Sequence, residues 1–459
     1  MSEAAAARLA EFAVSTPASA IGEKVLERSA LHLLDTVGCG LAAVGLEAGG
    51  SATRAAAARR GEPEATVLGG PAAPAPVAAL ANGTRFHALD FDDTHERGIC
   101  HVSAVLAAAA LAAGQAGGHS GAETLAAYAL GSEVTLRIAI AGAESIYARG
   151  FHPTSAFGVF GATAAAARLL GLPAETATSA LGVAGSFAGG LLEFLSDGSD
   201  TKPLHAGWAA HAGLWAAALA AAGAAGPASV LEGRFGVMAA FGGGAPAIET
   251  ADLGERWELE RVAVKAYPMC HWSHSAVGAL EELIAGGLDT DAVEAIEATV
   301  PSGAVSLILE PSERKRAPAT PYEAKFSLPF CLAETLVNGS VELASFTAAR
   351  IADPETLRLA GRVEGRAWPA GEEPSRFAGA VRVTTGDGGA FDAALDHPPG
   401  SPGNPLAPEA VVEKFRANAA LALAPDQAAK LEAVVLGFAE VSDLREALSP
   451  LADAAPLDD

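Results

Sequence analysis

The stretch ALDFDDTHERGICHVS, from Ala88 to Ser103, leads directly into the uncharged segment AVLAAAALAA, Ala104–Ala113. Its carboxylates and histidines are Asp90, Asp92, Asp93, Glu96, His95 and His101. Alanine, valine and leucine without a charge favour a helix over Ala104–Ala113. Ionisable groups at the N-terminal end of an apolar helix indicate a site in which the environment shifts the pKa values of these groups. The alternative is a solvated acidic turn that only caps this helix.

The chain around this stretch predicts a mainly helical fold. The pattern is helical over Ala4–Ala58, and a short strand is expected at Thr66–Leu68. Alanine-rich apolar patterns predict further helices at Val77–Leu89, Ser103–Ala116, Ala122–Ala141, Ser155–Leu170, Ala174–Ala188 and His205–Ala225.

The pattern changes near Trp257. Alternation of apolar and polar residues predicts strands, with helices between them and again near the end of the chain. The predicted strands are Glu294–Val300 and Ala378–Thr385, and the predicted helices are Ser273–Ala285, Phe326–Val337, Glu409–Leu423 and Asp426–Val435. We therefore expect a mainly α fold with an α+β insert, in which a helical domain at 1–260 and 405–459 is interrupted by an α+β domain at 261–404.

Length and charge limit the domain number and the classes of ligand that this chain can bind. A chain of 459 residues, half of them hydrophobic and 18% charged, predicts two domains with buried cores. The net charge of −24 and the lack of a long basic run argue against nucleic-acid binding. An anionic small molecule would need a local concentration of cations. Lysine is scarce, so a lysine within an apolar motif is informative.

Cysteine use and hydropathy indicate a cytoplasmic protein. Cys39, Cys100, Cys270 and Cys331 are far apart and form no CxxC, as expected in a reducing compartment. The N-terminal residues have an early Glu and no basic region, so we expect no signal peptide. The run Ala209–Gly226 is only weakly apolar and contains His211, which favours a packed helix over a membrane span.

Two further segments place single ionisable residues beside helix starts. In RGFHPTS, Arg149–Ser155, the proline after His152 can hold that imidazole rigidly outside the next helix. The alternative is that Thr154 or Ser155 caps this helix and His152 has no special role. In SDGSDTKPLH, Ser196–His205, we expect Lys202 in a polar loop before a long helix. A cation at a helix N-terminus can hold a carboxylate, and the alternative is a surface lysine.

The segment VKAYPMCHWSH, Val264–His274, lies at the predicted domain boundary, where small-molecule sites are common. His271 and His274 are three residues apart and would share a face in a helix. Their spacing relative to Cys270 matches no zinc pattern, and nothing marks this thiol as activated, so a metal site and a cysteine nucleophile are the weaker alternatives.

The sequence lacks the usual cofactor motifs. GxGxxG after a strand, GxxxxGK[ST], HExxH and GxSxG are all missing, and the glycines of FGGG at Phe241–Gly244 precede no helix signal. We therefore expect neither a nucleotide, flavin or nicotinamide cofactor nor a metal.

Six separated motifs, in one order along nearly the whole chain, resemble the MmgE/PrpD family. They are HALDFDDTH with HVS, GFHPTSAFGVFGATAAAARLLGL, DGSDTKPLHAGWAAHAG, VKAYPMCHWSH, FSLPFCLAETLVNG and GSPGNPLAPEAVVEKF. The family includes 2-methylcitrate dehydratase, cis-aconitate decarboxylase and iminodisuccinate epimerase. The resemblance implies metal-independent chemistry on small di- or tricarboxylates, in a homodimer of subunits with a large helical domain and a smaller lid domain.

The resemblance also implies which residues form the site. Asp90, His101, His152 and Lys202 are the expected catalytic residues. The expected substrate-binding residues are Thr94, Lys265, Tyr267, His271 and His274. Imidazoles can serve as base and acid near neutral pH, and lysines can stabilise the developing enediolate-like charge. Asp92, Asp93, His95 and Glu96 are expected to support this site or cap the helix.

Three differences from the decarboxylase pattern favour another reaction. His101 lies one residue further from Asp90, MCHWSH differs around His271, and Phe330 replaces a tyrosine. We therefore expect a cofactor-independent hydro-lyase of the 2-methylcitrate dehydratase type. An epimerase or racemase, a decarboxylase, and a non-catalytic carboxylate-binding protein are the alternatives.

Overall fold

The computed structural model describes residues 4–59, 61–244, 246–369 and 371–457. The α-helices are, in chain order, α1 Ala5–Ser15, α2 Glu23–Gly45, α3 Gly50–Ala57, α4 Ala75–His87, α5 Val102–Gly117, α6 Gly121–Tyr147, α7 Pro153–Leu169, α8 Ala174–Ala184, α9 Phe194–Asp197, α10 Thr201–Ala221, α11 Val237–Gly242, α12 His274–Ala285, α13 Ser302–Ile308, α14 Ser312–Arg316, α15 Pro321–Ala324, α16 Leu328–Asn338, α17 Ala348–Ile351, α18 Pro354–Ala360, α19 Pro408–Ala419, α20 Pro425–Leu436 and α21 Leu444–Ala447.

Strands and 3₁₀ helices are short. The strands are β1 Ala65–Val67, β2 Gly70–Ala73, β3 Thr94–His95, β4 Val262–Ala263, β5 Val293–Val300, β6 Val363–Ala367, β7 Gly379–Thr385 and β8 Ala390–Leu395. The 3₁₀ helices are Ala18–Ala20, Glu258–Arg261, His271–Ser273, Thr290–Ala292, Leu343–Phe346, Phe438–Glu440 and Ser449–Leu451. The prediction of a mainly helical chain with a small β part is confirmed.

The chain divides into two compact units. Unit 1 comprises Met1–Phe194, Asp200–Val262 and Ala407–Asp459, and unit 2 comprises Leu195–Ser199 and Ala263–Leu406. The role of the second unit as a lid, and the domain bounds expected from the sequence, stay predictions.

Unit 1 is a stack of small-residue helices around α5. Every residue of α5 from Val102 to Ala112 is buried, and α4, α7 and α10 pack against this helix. Glycines bring α4 and α10 unusually close, because a Cβ at Gly83 would lie 2.8 Å from the Cα of Gly207. Small side chains thus let the helices approach at backbone distance, which fixes the ends of α4 and α10 relative to each other.

The helical pattern expected over Ala4–Ala58 is present as α1, α2 and α3, which are separated at Pro17 and at the glycines near residue 49. One local expectation about unit 1 was wrong. Helix α10 begins at Thr201 rather than His205, so Lys202 lies in the first helical turn and not in a preceding loop. Pro203 is compatible with this position because the first turn of a helix does not need its amide hydrogen.

Unit 2 contains a four-stranded mixed sheet in the order β6-β5-β7-β8. Strand β5 pairs in parallel with β6 and antiparallel with β7, and β8 continues the antiparallel part. Helix α12 packs on β7 and β8, and α16 packs on α12. The alternating burial of β7 places Val381 and Val383 in the core of this unit.

Helix α6 is, by itself, the one helix of the described chain long and apolar enough to span a membrane. Its most apolar window is 89% buried within the protein. Such burial is expected of the core helix of a soluble protein. The four cysteines are buried, and none of them forms a disulfide.

Candidate active site

The acidic stretch between α4 and α5 is buried. Asp90, Asp92 and Asp93 are at most 1% exposed, so the alternative of a solvated acidic turn is wrong. Asp93 nevertheless caps α5, because its carboxylate accepts hydrogen bonds from the amide of Ser103, at 3.2 Å, and from the hydroxyl of the same residue. Nδ1 of His32, in α2, lies 3.2 Å from Oδ2 of Asp93.

A buried ion pair joins the acidic stretch to α10. The Nζ atom of Lys202 lies 2.9 Å from Oδ1 of Asp90, and both side chains are at most 7% exposed. Asp90 has a φ of +53°, which costs backbone energy and turns the chain sharply after α4. The strained backbone and the ion pair together bring the carboxylate of Asp90 to the first turn of α10.

Three imidazoles meet beside this ion pair. The ring centroids of His87 and His101 are 4.5 Å apart, and that of His152 lies 5.9 Å from the first and 6.1 Å from the second. His87 and His152 are at most 3% exposed, and His101 is 9% exposed. The structure therefore brings together the predicted residues Asp90, His101, His152 and Lys202 within unit 1.

Each imidazole of the cluster is oriented through its Nδ1 atom. Nδ1 of His87 lies 2.9 Å from both carboxylate oxygens of Asp92, and Nδ1 of His101 donates to the carbonyl oxygen of Asp93 at 2.7 Å. Nδ1 of His152 lies 3.0 Å from Nδ1 of His205. The Nε2 atom of His87 is buried and has no hydrogen-bond partner, so it is available to a ligand.

His152 is placed as the sequence predicted. It is the residue before α7, and Pro153 is the first residue of that helix. Its amide donates to the carbonyl of Gly190 at 2.9 Å, and neither Thr154 nor Ser155 acts as the cap. Burial, and then the neighbouring His205 and Lys202, hold the pKa of His152 well below its usual value. This imidazole is therefore neutral at neutral pH.

His87 and His205 were missed as site residues. His87 ends α4 three residues before Asp90, and His205 follows Lys202 by three residues in α10, so each shares a face or a turn with a predicted residue. Burial, with smaller contributions from His87 and Lys202, lowers the pKa of His205 to about 4. The i to i+3 spacing from Lys202 was a signal that sequence reasoning could have used.

Of the remaining predicted residues, one belongs to unit 1 and four belong to unit 2. Thr94 is buried in β3, next to Asp93. Lys265, Tyr267, His271 and His274 are buried in unit 2. The rings of His271 and His274 are 4.8 Å apart, so these side chains are neighbours as expected.

The hydroxyl of Tyr267 donates to Glu281 at 2.5 Å. Burial and this carboxylate raise the pKa of Tyr267, so the phenol stays protonated.

Two sets of described side chains have donor atoms that lie within 4.8 Å of one another, as a metal site requires. One is His87, His101 and His152, and the other is Asp90, Asp92 and His101. Both are buried and share His101.

Similarity to known proteins agrees with the arrangement of the chain. The MmgE/PrpD N-terminal domain matches residues 7–249, and the MmgE/PrpD C-terminal domain matches residues 267–440. Human cis-aconitate decarboxylase is 31% identical over 439 residues, which cover 92% of this chain and 89% of the relative. Cis-aconitate decarboxylase of Aspergillus terreus is 27% identical over 460 residues, 94% of this chain and 92% of the relative.

A relative from Aspergillus oryzae, named cis-aconitate decarboxylase-like protein oryM, is 29% identical over 476 residues and covers 96% of both chains. Both halves of the chain therefore match one family, and the relatives match along nearly their whole length. The protein is an enzyme and belongs to the MmgE/PrpD family.

Proposed function

We propose that the protein is a lyase that decarboxylates a small unsaturated tricarboxylate of the cis-aconitate type. The observation that carries this proposal is the buried cluster of His87, His101 and His152 beside the Lys202–Asp90 ion pair. Such a site offers proton-transfer groups and a cation within one water-poor environment. The names of the similar proteins support the substrate class.

The chemistry needs a cation and a proton donor. In a β,γ-unsaturated acid, the bond to the departing carboxylate breaks and its electron pair forms a new C=C bond. The electron pair of the original C=C bond then takes up a proton at the γ carbon, and the departing carboxylate is released as carbon dioxide. Lys202, oriented by Asp90, binds a carboxylate that remains, with the N-terminus of α10 behind it.

We assign the proton donor to His101. Nδ1 of His101 lies 3.7 Å from a carboxylate oxygen of Asp92, which can offset the charge of a protonated ring. His152 is held neutral by its burial and is assigned to accept a proton or a hydrogen bond. Lys265 in unit 2 stays a predicted carboxylate-binding residue, as do Thr94, Tyr267, His271 and His274.

Dehydration of a hydroxy acid of the 2-methylcitrate kind is the second candidate. It is favoured by Phe330, which is fully buried in α16 and lacks the hydroxyl of the decarboxylase pattern. In that reaction His152 would remove the proton next to a carboxylate, and His101 would protonate the leaving hydroxyl. Epimerisation would use the same two rings without net loss of water.

One experiment separates these reactions. The purified protein is incubated in deuterated water with cis-aconitate, citrate, 2-methylcitrate, tartrate and aspartate-derived acids, and products are followed by NMR. Carbon dioxide release with one deuterium in the product supports decarboxylation, whereas water loss supports dehydration. Deuterium entering recovered substrate alone supports epimerisation. Stabilisation by these acids without any turnover would contradict an enzymatic function on them.

We also propose a cytoplasmic homodimer. Helix α10 exposes Trp208 and Trp215 at 47% and 48%, and Leu219 at 37%, along one face. Exposed tryptophans in such a row are typical of protein interfaces. A second copy of the chain is the partner we assign to this face.

A further inference from the structure

We propose that the imidazoles of His87, His101 and His152 form a binding site for a first-row divalent cation, with Zn²⁺ preferred, and that the bound cation inhibits the enzyme. The inhibitory part rests on the proposed function, since it requires His101 and His152 to transfer protons. The binding part stands on the geometry alone.

The three rings have the arrangement that metal-ligating histidines show. One ring nitrogen from each lies within 4.8 Å of the others, and all three residues are buried. Each Nδ1 already has a polar partner, namely Asp92, the Asp93 carbonyl or His205. A metal-bound histidine usually engages a carboxylate, carbonyl or similar group through its second nitrogen, which fixes the tautomer and aims the other nitrogen at the metal.

His87 gives an independent indication of a ligand. Its Nε2 atom is buried and has no hydrogen-bond partner, and the side chain is fully inaccessible. A buried polar atom without a partner is unfavourable, because it has lost its hydrogen bonds to water and gained none in return. The proposed proton transfers do not use this nitrogen, so catalysis alone does not explain why an imidazole occupies the position. A cation would satisfy the Nε2 lone pair.

The three imidazole nitrogens determine which metal ion the site prefers. Three imidazoles with a fourth position open suit Zn²⁺, whereas Mg²⁺ prefers oxygen ligands. Zinc–nitrogen bonds of about 2.0–2.1 Å require the rings to move together by roughly 1 Å. His101 has the most exposed of the three side chains, at 11%, and is the ring best placed to move. Asp90 and Asp92 supply nearby negative charge, which Lys202 partly offsets.

The alternative oxygen-rich set is less suited to zinc. Asp90 is held by Lys202 and Asp92 is held by His87, so binding there would break both contacts. Binding to the three imidazoles preserves them. Because coordination uses the lone pairs on which proton transfer depends, the cation must compete with catalysis rather than assist it.

Binding is tested on the full chain, freed of metal with a chelator. Equilibrium dialysis with Zn²⁺ should give one tight site per chain, and X-ray absorption should show nitrogen ligands from imidazoles. We expect His87→Gln and His152→Gln each to weaken zinc binding by more than about tenfold. His119→Gln, which lies after α5 outside the cluster, is the matched control and should bind as the wild type does. Circular dichroism confirms that each variant is folded.

Inhibition is tested separately with the acid that the protein turns over. Zn²⁺ at the concentration that fills the site should abolish turnover, chelator should restore it, and Mg²⁺ should have no effect. Absence of zinc binding, oxygen-only ligands, or binding unchanged in both histidine variants would overturn the site. Zinc that raises turnover would overturn the inhibitory role. If the protein binds zinc at the cluster but turns over none of the acids, the zinc site is supported and the proposed function is contradicted.

Discussion

At the scale of single residues, the site depends on charges and imidazoles that the fold keeps from water. The Asp90–Lys202 pair is almost fully buried, and a buried pair contributes orientation more reliably than stability. His152 and His205 share one hydrogen bond between two Nδ1 atoms, so one of the rings must donate while the other accepts. Two predictions concern these residues.

Replacement of Lys202 by methionine removes the cation and leaves the buried carboxylate of Asp90 without it. Breaking a buried pair from one side costs about 3–5 kcal/mol, so the free energy of unfolding should fall by that order. Loss of a group that stabilises developing charge should lower kcat/KM by about 100-fold or more. Urea unfolding and steady-state kinetics measure the two effects.

Two further variants control this experiment. Adding Asp90→Asn to Lys202→Met should recover part of the stability and none of the activity. Lys430→Met changes an exposed lysine of α20 in the same way and should change neither quantity. Wild-type kcat/KM in folded Lys202→Met would refute the assigned role of this cation.

Acid should destabilise the protein through His205. Because its pKa is about 4 in the folded protein against an ordinary value of 6.5, the unfolded chain takes up the proton first as the pH falls. The free energy of unfolding is therefore unaffected by protonation of His205 above pH 6.5. It falls by up to about 3 kcal/mol as the pH decreases from 6.5 to 4. Denaturant unfolding at pH 7 and pH 4.5 measures it.

His205→Gln cannot take up this proton, so its stability should fall less than that of the wild type over the same pH range. His397→Gln, the same change at an exposed histidine, is the matched control and should leave the pH dependence of stability as in the wild type. Equal losses in wild type and His205→Gln would show that another group controls the acid response.

At the scale of elements, the site is held by the close packing of α4 and α10. Helix α4 ends at His87, and α10 begins beside Lys202 and carries His205. The short distance between these helices results from glycine at positions 83 and 207. Larger residues there would separate the two groups of functional side chains.

Gly207→Ala tests this packing. A Cβ at this position would lie 2.2 Å from the carbonyl oxygen of Leu80 and 2.5 Å from the hydroxyl of Thr84, so the helices must move apart. We expect the free energy of unfolding to fall by about 1–3 kcal/mol or more, with turnover reduced because Lys202 moves away from Asp90. Thermal unfolding and kinetics measure these changes.

Gly303→Ala in α13 is the matched control. There the new Cβ would meet only Trp272, at 3.9 Å, and alanine in a helix stabilises by up to about 1 kcal/mol relative to glycine. A Gly207→Ala protein as stable and active as this control would contradict the close-packing argument.

At the scale of the whole molecule, the exposed face of α10 is the contact that we propose for a dimer. Trp208, Trp215 and Leu219 recur at spacings of seven and four residues, which places them on one side of the helix. A chain with a net charge of −24 repels its own copies, so association needs an apolar surface of this kind.

Trp215→Glu should therefore shift the protein from dimer to monomer, because it places a like charge at the centre of the proposed contact. Light scattering after size-exclusion chromatography measures the mass of each form. The control is Phe235→Glu, at an 85% exposed position outside α10, which should stay dimeric. A wild-type protein that is monomeric at all concentrations, or a dimeric Trp215→Glu, would contradict the proposal.

The sequence by itself determined the helical character of the chain, because alanine-rich apolar periodicity and proline positions act locally. Through motifs that resemble one family, it also predicted that Asp90, His101, His152 and Lys202 belong to one site, and these side chains do lie close together. The position of His152 before Pro153 was predictable for the same local reason. The start of α10 was not, since a helix that begins in polar residues has no apolar signal there.

The tertiary structure alone decided how the site is assembled. Burial of the acidic stretch follows from the packing of α4, α5 and α10, and no local pattern distinguishes a buried acidic turn from a solvated one. His87 and His205 became functional candidates only when that packing placed their rings against His101 and His152. Local patterns specify which groups are available, whereas the distances and the water-poor environment that tune their chemistry arise from contacts between residues far apart in the chain.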